Sequence, residues 1–403
     1  MLIARRFNVR SMICLSFVLA LLGASPLQAA DETFSHFIQE VKLEAKKKGI
    51  AEKYVNVLDG LTPDPEVLRL AARQPEFVKP IWAYLLQMIT PERLALGRAQ
   101  LAEREAFLAQ LEEKYGVPRT ILVAIWGVET NYGGNKGSHS VLQALATLGY
   151  TGKRAEFGRQ QLLAALKILQ SGDVELSDFK GSWAGAMGHT QFIPTTYEGY
   201  AADGTGDGVR DIWTEPKDAL ASSANYLKRM GWRRGLEWGF EVQVPVDMDF
   251  SVASLKHPKP AAFWRDRGVS APSREISDGL GDISLFAPTG ARGPIFLVTK
   301  NFRALLRYNT APAYALAVAH LSDRFTGQAA FTTKWPMADR PLLPKEISAM
   351  QSALMAHGFD VGGVDGLMGS KTAAAVRDFQ KSRGLVVDGY ATPGILRLLR
   401  GEK

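Results

Sequence analysis

The sequence predicts a mainly α protein of the α+β class, with a small β element inside a large helical domain and a separate three-helix bundle at the C-terminus. Apolar residues recur at helical spacing through most of the 403 residues. That spacing switches to two between Phe240 and Phe250, and the C-terminal segment contains an internal repeat. Helical and strand periods are the primary sequence signals for those elements.

At the N-terminus, Arg5, Arg6 and Arg10 precede an apolar run from Met12 to Leu22 and then "GASPLQAADE". This is the layout of a secretory leader. Cleavage is expected near Ala29 or Ala30, making residues 1–30 a signal peptide and the product an exported, periplasmic protein, soluble or loosely wall-associated. The apolar run is short for a membrane span, and no other segment is apolar enough for one. The single cysteine, Cys14, lies in this leader, so the mature chain has neither disulfides nor a cysteine nucleophile. Removing three arginines takes the formal charge from +7 to +4. That mild excess suits an anionic polymer but does not argue for nucleic acid, for which no motif is present.

Residues 31–326 form the expected large domain. "FSHFIQEVKLEAKKKG" and "PERLALGRAQLAEREAFLAQLEEKYG" read as amphipathic helices. Residues 118–235 are again helical, broken by an Asp/Gly loop near 203–211. "FEVQVPVDMDF", "DISLF" and "PIFLVTK" read as strands, and helix returns at "APAYALAVAHLSDRF". Residues 327–344, with Pro336, Pro341 and Pro344, read as a linker. In residues 345–400 one helix precedes two copies of an Asp-Gly turn, a Ser or Thr suited to N-capping, and an apolar helix.

The main chemical candidate is Glu129. From Ile121 to Val128 the chain has almost no polar face, which marks a buried helix, and Gly133-Gly134 is the expected stop. A carboxyl at the C-terminal end of such a helix meets desolvation and the negative end of the helix dipole. Both favour the protonated form that a general acid requires. A second candidate is "GSWAGAMGHTQFIPTTY", Gly181 to Tyr197, where small residues permit close approach and Ser182, Gln191 and Tyr197 offer hydrogen bonds. Its alternative reading is a tight turn between helices. A third is "DGTGDGVRDIW". Asp203, Thr205 and Asp207, with the Val209 carbonyl, follow the first half of an EF-hand calcium loop. Thr214 stands where a bidentate Glu belongs, so Glu215 or Asp218 could close the site only in a longer loop. The alternative is a solvated turn. Trp82, Tyr84, Trp183, Trp213, Tyr226, Tyr308 and Tyr314 could stack on sugar rings, although most aromatics are core. The six histidines make no zinc pair at helical spacing, and no nucleophile elbow, P-loop or dinucleotide motif occurs.

Taken together, "AIWGVETNYG", "GSWAGAMGHTQFIPTTY", "DGTGDGVRDIW", "SSANYLKRMGW" and "LLRYNTAPAYALAVAHL" resemble, in order, the lytic murein transglycosylases of the B type. "GGVDGLMGSKTAAAVRDFQKSRGLVVDG" resembles a peptidoglycan-binding module. The resemblance implies a lysozyme-like fold with Glu129 as the catalytic acid at a helix end. It implies substrate contacts from Ser182, Gln191, Tyr226, Tyr308 and Tyr314, and less directly from Trp82 or Tyr84. No cofactor is required, and structural calcium in the Asp203–Asp218 loop is a feature of some relatives.

Glycosidases ordinarily use two carboxylates, whereas only Glu129 is well placed here. The resemblance implies that the muramic acid C6 hydroxyl replaces water as nucleophile, giving a 1,6-anhydro sugar. The two rival readings are a hydrolytic muramidase and a non-enzymatic peptidoglycan-binding scaffold.

Overall fold

The computed structural model describes residues 26–72, 79–272 and 274–402. Most of the expected leader therefore lies outside the described residues. The expected cleavage point falls within a helix, Pro26–Lys47.

Two apolar cores build the helical part. One joins the Pro26–Lys47 helix to the antiparallel pair Val141–Tyr150 and Ala155–Ser171. That pair crosses closely enough that a Cβ on Gly158 would lie 2.3 Å from the Gly149 backbone nitrogen. The other core surrounds the helix Arg119–Thr130, in which Ile121, Leu122, Val123, Ala124 and Ile125 are no more than 3% exposed. The continuous apolar run of the sequence is thus a helix packed on nearly every side, chiefly against Pro312–Phe325. The stop differs from expectation. The helix ends at Thr130, and the left-handed turn is made by Asn131 and Tyr132 (φ 49° and 60°) before Gly133 is reached.

The β element is a four-stranded antiparallel sheet in the order Gly239–Val242, Ile295–Val298, Asp282–Phe286, Lys259–Pro260. The expected strand from Phe240 to Phe250 is cut short at Val242, and a 3-10 turn occupies Phe250–Val252. Pro245 lacks the N–H that a ladder needs, which overrides the alternating pattern.

The C-terminal bundle comprises Pro344–Ala356, Ser370–Ser382 and Pro393–Leu399 around its own core. Thr392 caps its helix as expected, accepting from Ile395 N–H, whereas Gly369 takes the cap position before Ser370. Each repeat uses a buried glutamine to hold its Asp-Gly turn. Gln351 donates to Asp365 and accepts from Gly366, and Gln380 does the same with Asp388 and Gly389.

The 327–344 segment is irregular but not free. Phe331 packs on Phe296 and His320, Trp335 lies beside Trp82, and Glu241 accepts the N–H groups of Thr332 and Thr333.

Candidate active site

Glu129 is half-buried at the end of its helix. Burial pushes its carboxyl up to about 7, partly opposed by the Tyr314 hydroxyl, which donates to Oε1 at 2.6 Å. No second carboxylate among the described residues takes part in setting that proton's affinity. Tyr314 reaches Glu129 because it sits in the first turn of Pro312–Phe325, the helix packed along the acid helix.

Tyr308 lies parallel to Tyr314, with ring centroids 6.3 Å apart. Its hydroxyl donates to the Thr190 carbonyl at 2.7 Å and lies 3.2 Å from Ser223 Oγ. The acid's negative charge raises the hydroxyl pKa of Tyr84, Tyr308 and Tyr314 in addition to their burial, with Tyr84 reaching about 12. These three phenols therefore surround one carboxyl and remain protonated donors throughout the ordinary pH range. Tyr226 joins the aromatic wall against Phe192, Tyr200 and Tyr308, while its hydroxyl donates to the Arg307 carbonyl at 2.6 Å.

The structure separates the two less certain aromatics. Tyr84 faces the acid, whereas Trp82 turns to Trp335 on the other side of the same helix. Trp213 is core, packed on Phe179 and Tyr197, and Trp183 covers a small cluster around Val67.

Ser182 closes its own turn by accepting the Ala186 N–H at 3.0 Å. Gln191 donates to the carbonyls of Lys136 and Gly188, at 3.2 and 2.9 Å, from a left-handed backbone (φ 53°). Among the described residues, the non-glycine residues with positive φ are Asn131, Tyr132 and Gln191. Such backbone strain concentrates at functional sites, and here it flanks the acid. Tyr132 folds back over Gly127, where a Cβ would lie 2.7 Å from its hydroxyl oxygen, and donates to the Arg93 carbonyl.

Sequence reasoning missed the brace behind the acid. The Trp126 indole N–H donates to His189 Nδ1 at 3.0 Å, and the Thr130 hydroxyl donates to the His189 carbonyl at 2.7 Å. Burial pushes His189 down to about 4, so the imidazole is neutral, and its proton sits on Nε2 because Nδ1 accepts. Thr190 and Ser223, which anchor Tyr308, were likewise unforeseen. Only tertiary packing brings these residues together.

The Asp/Gly loop holds itself by hydrogen bonds. Asp203 accepts the N–H groups of Thr205, Gly206 and Gly208, and Asp207 accepts that of Val209. Asp218, 1% exposed, accepts those of Gly204, Thr205 and Asp211. Among the described residues no group of three His, Cys, Asp or Glu side chains is arranged to hold a metal. As arranged, then, Asp203, Asp207 and Asp218 each accept backbone N–H groups, and Thr205 and Val209 are among the donors. No chemical step at Glu129 runs through this loop.

A carboxyl raised toward neutrality at a helix end, with a phenol as its hydrogen-bond donor, fits the lysozyme-like class of glycan-cleaving enzymes. Residues 33–323 match the Transglycosylase SLT domain, and residues 344–399 match the Putative peptidoglycan binding domain. The chain belongs to the SLT transglycosylase family and is a lytic transglycosylase acting on peptidoglycan. It is 30% identical over 291 residues to membrane-bound lytic murein transglycosylase B of Escherichia coli K12, covering 71% of this chain and 76% of that protein. The structure of SltB3 from Pseudomonas aeruginosa in complex with NAG-anhNAM-pentapeptide superimposes with a TM-score of 0.87 at 46% identity, covering 91% of this chain and 99% of that one. Escherichia coli Slt35 in complex with calcium gives 0.63 at 29% identity, covering 74% and 94%. The lysozyme-like class and the C-terminal wall-binding module agree with the sequence expectation. No described helix is long and apolar enough to cross a membrane.

With Glu129 as the proposed general acid, its proton sets a pH dependence. A general acid works only while protonated, and a carboxyl raised to about 7 loses its proton as the pH climbs through that value. Lytic activity is expected to fall on the alkaline side of about pH 7. Tyr314→Phe removes the donor that favours the charged form, so the alkaline limb should move to higher pH. A pH–rate profile of both proteins checks this, and an unchanged limb would separate Tyr314 from the acid's proton.

Proposed function

We propose that Glu129 alone cleaves the β-1,4 bond between N-acetylmuramic acid and N-acetylglucosamine, and that the product carries a 1,6-anhydro ring. The observation carrying this reading is the isolation of one raised carboxyl, with Tyr314 as its hydrogen-bond donor. Glu129 gives its proton to the bridging oxygen as that bond breaks, and positive charge develops on the muramoyl ring. The carboxylate so formed keeps the Tyr314 hydrogen bond, which strengthens with charge. It then takes the proton of the muramoyl C6 hydroxyl as that oxygen closes on C1. A tethered nucleophile has a large entropic advantage over water, so no second carboxylate is needed to activate water. Ser182, Gln191, Tyr226 and Tyr308 are proposed to line the sugar groove. The anhydro sugar named in the SltB3 complex supports the same product here. Mass spectrometry of products from purified peptidoglycan tests it: anhydro ends are one water lighter than reducing ends. Reducing ends alone would make the enzyme a hydrolytic muramidase.

The leader reading places the enzyme in the periplasm, with the bundle at 345–400 holding it on wall glycan. For the Asp203–Asp218 loop, structural calcium is supported by the 1, 3, 5 spacing of Asp203, Thr205 and Asp207 and by the Slt35 complex. A ligand bound only by the native state stabilises it by RT ln(1 + [L]/Kd). Calcium added to chelator-treated protein should therefore raise the melting temperature, and Asp203→Ala should abolish the rise. No shift at millimolar calcium would leave a loop closed by its own hydrogen bonds.

A further inference from the structure

Away from Glu129, the strap Gln328–Thr333 closes a cavity of about 360 Å3 against the strand Gly239–Val242 and the far end of the Pro312–Phe325 helix. Glu237, Glu241 and Asp323 border it, with Arg274 as the basic group. Two of the three carboxylates are committed: Glu237 pairs with Arg274, and Glu241 accepts from Thr332 and Thr333. Asp323 is different. Its Oδ2 accepts one bond, from the Trp238 indole at 2.9 Å, and its Oδ1 has no partner among the described residues. One turn earlier stands His320, only 7% exposed, its ring 3.8 Å from that of Phe331, with neither nitrogen hydrogen-bonded. Among the described residues, then, an Asp323 oxygen and the His320 imidazole border one cavity with acceptor capacity that no protein donor uses and that solvent can reach.

We propose that this cavity binds a primary ammonium group, with Asp323 as its charge partner and His320 as a second acceptor. An ammonium has three donors and no acceptor, which complements a carboxylate oxygen and a neutral imidazole nitrogen. Trp238, Phe240 and Phe331 add aromatic faces that favour a cation. Burial keeps His320 neutral, down to about 4, and raises Asp323 to about 7, and an arriving cation would favour the carboxyl's charged form. The amine could belong to a diamino acid in a peptidoglycan peptide stem or to a free diamine. The first source rests on the peptidoglycan reading.

Calorimetric titration of the full-length protein tests the proposal. The probes are the tripeptide L-alanyl-γ-D-glutamyl-meso-diaminopimelate, its amine-acetylated form, and putrescine. The tripeptide should bind saturably, and acetylation should weaken it at least about tenfold, the scale of one charge-assisted hydrogen bond. Asp323→Asn should do the same. If that variant does not fold, His320→Phe, which keeps the stack on Phe331, should weaken binding too. Binding of putrescine without the tripeptide would keep the ammonium site and assign it to free diamines. Absence of binding by both amines, or equal binding of the acetylated tripeptide, would overturn it. Turnover of peptide-free glycan strands should be unchanged in Asp323→Asn. Failure of wild-type enzyme to cleave those strands would count against the lytic reading and leave the cavity result intact.

Discussion

Glu129→Gln is expected to abolish nearly all lysis of purified sacculi while leaving a folded protein. Glutamine keeps the shape and can still accept the Tyr314 hydrogen bond, but it has no proton to transfer. General acid–base catalysis contributes on the order of 10² to 10⁴-fold, and here one residue serves both the acid and the base step. Stability should move the other way. Glu129 has a raised folded-state pKa, so the native state retains a proton that the unfolded chain has released. Stability is therefore lost as pH climbs from the ordinary carboxylate range to about 7. Glutamine carries no such penalty, so the variant should melt higher than wild type at pH 8, by an amount on the order of 2–3 kcal/mol from the linkage of pKa to stability. Turbidity loss of sacculi reads the first effect and thermal denaturation at pH 6 and pH 8 the second. A folded variant that still lyses sacculi at near wild-type rate would remove Glu129 from the chemistry. Equal melting at pH 8 would mean that its charge is not desolvated.

The burial of Glu129 was legible because local sequence carries its physical cause: an uninterrupted apolar run forces burial, and one carboxylate follows it. The helices of both domains were legible for the same reason, since period and caps are local. The strand from Phe240 to Phe250 was over-read because alternation says nothing about the ladder hydrogen bond that Pro245 cannot make. The brace of Trp126, His189 and Thr130 was illegible because it joins residues 59 and 63 apart in sequence. Nothing in "MGHTQF" distinguishes a neutral histidine behind a catalytic helix from a solvated one. The packing of the 327–344 segment was illegible for a related reason. The segment's prolines read as a linker and say nothing of the contacts of Phe331 and Trp335 with the body, which depend on partners far away in the chain.

Asp218→Ala should unfold the Asp/Gly loop and cost more stability than any other change in it. The side chain is buried and accepts three backbone N–H groups, at 2.8, 3.2 and 2.8 Å, from Gly204, Thr205 and Asp211. Burial nevertheless raises its pKa and outweighs those bonds, so the carboxylate is held in place at a cost that only its donors offset. Alanine leaves the donors without their acceptor, at about 1–3 kcal/mol for each that stays dry. A loss of about 3 kcal/mol would lower the melting temperature of the catalytic domain by roughly 6 °C or more. Asparagine keeps one acceptor oxygen and should fall between alanine and wild type. The effect should also reach the acid. Asp211 leads into Ile212, whose carbonyl accepts the His189 N–H at 2.9 Å, and His189 holds Trp126 and Thr130 on either side of Glu129 in the same helix. Loosening the loop should therefore reduce turnover more than substrate affinity. Melting curves and kinetics on soluble glycan strands separate the outcomes. A variant that melts like wild type would show that Asp218 does not hold the loop, and one that melts early but keeps full turnover would uncouple the loop from the acid helix.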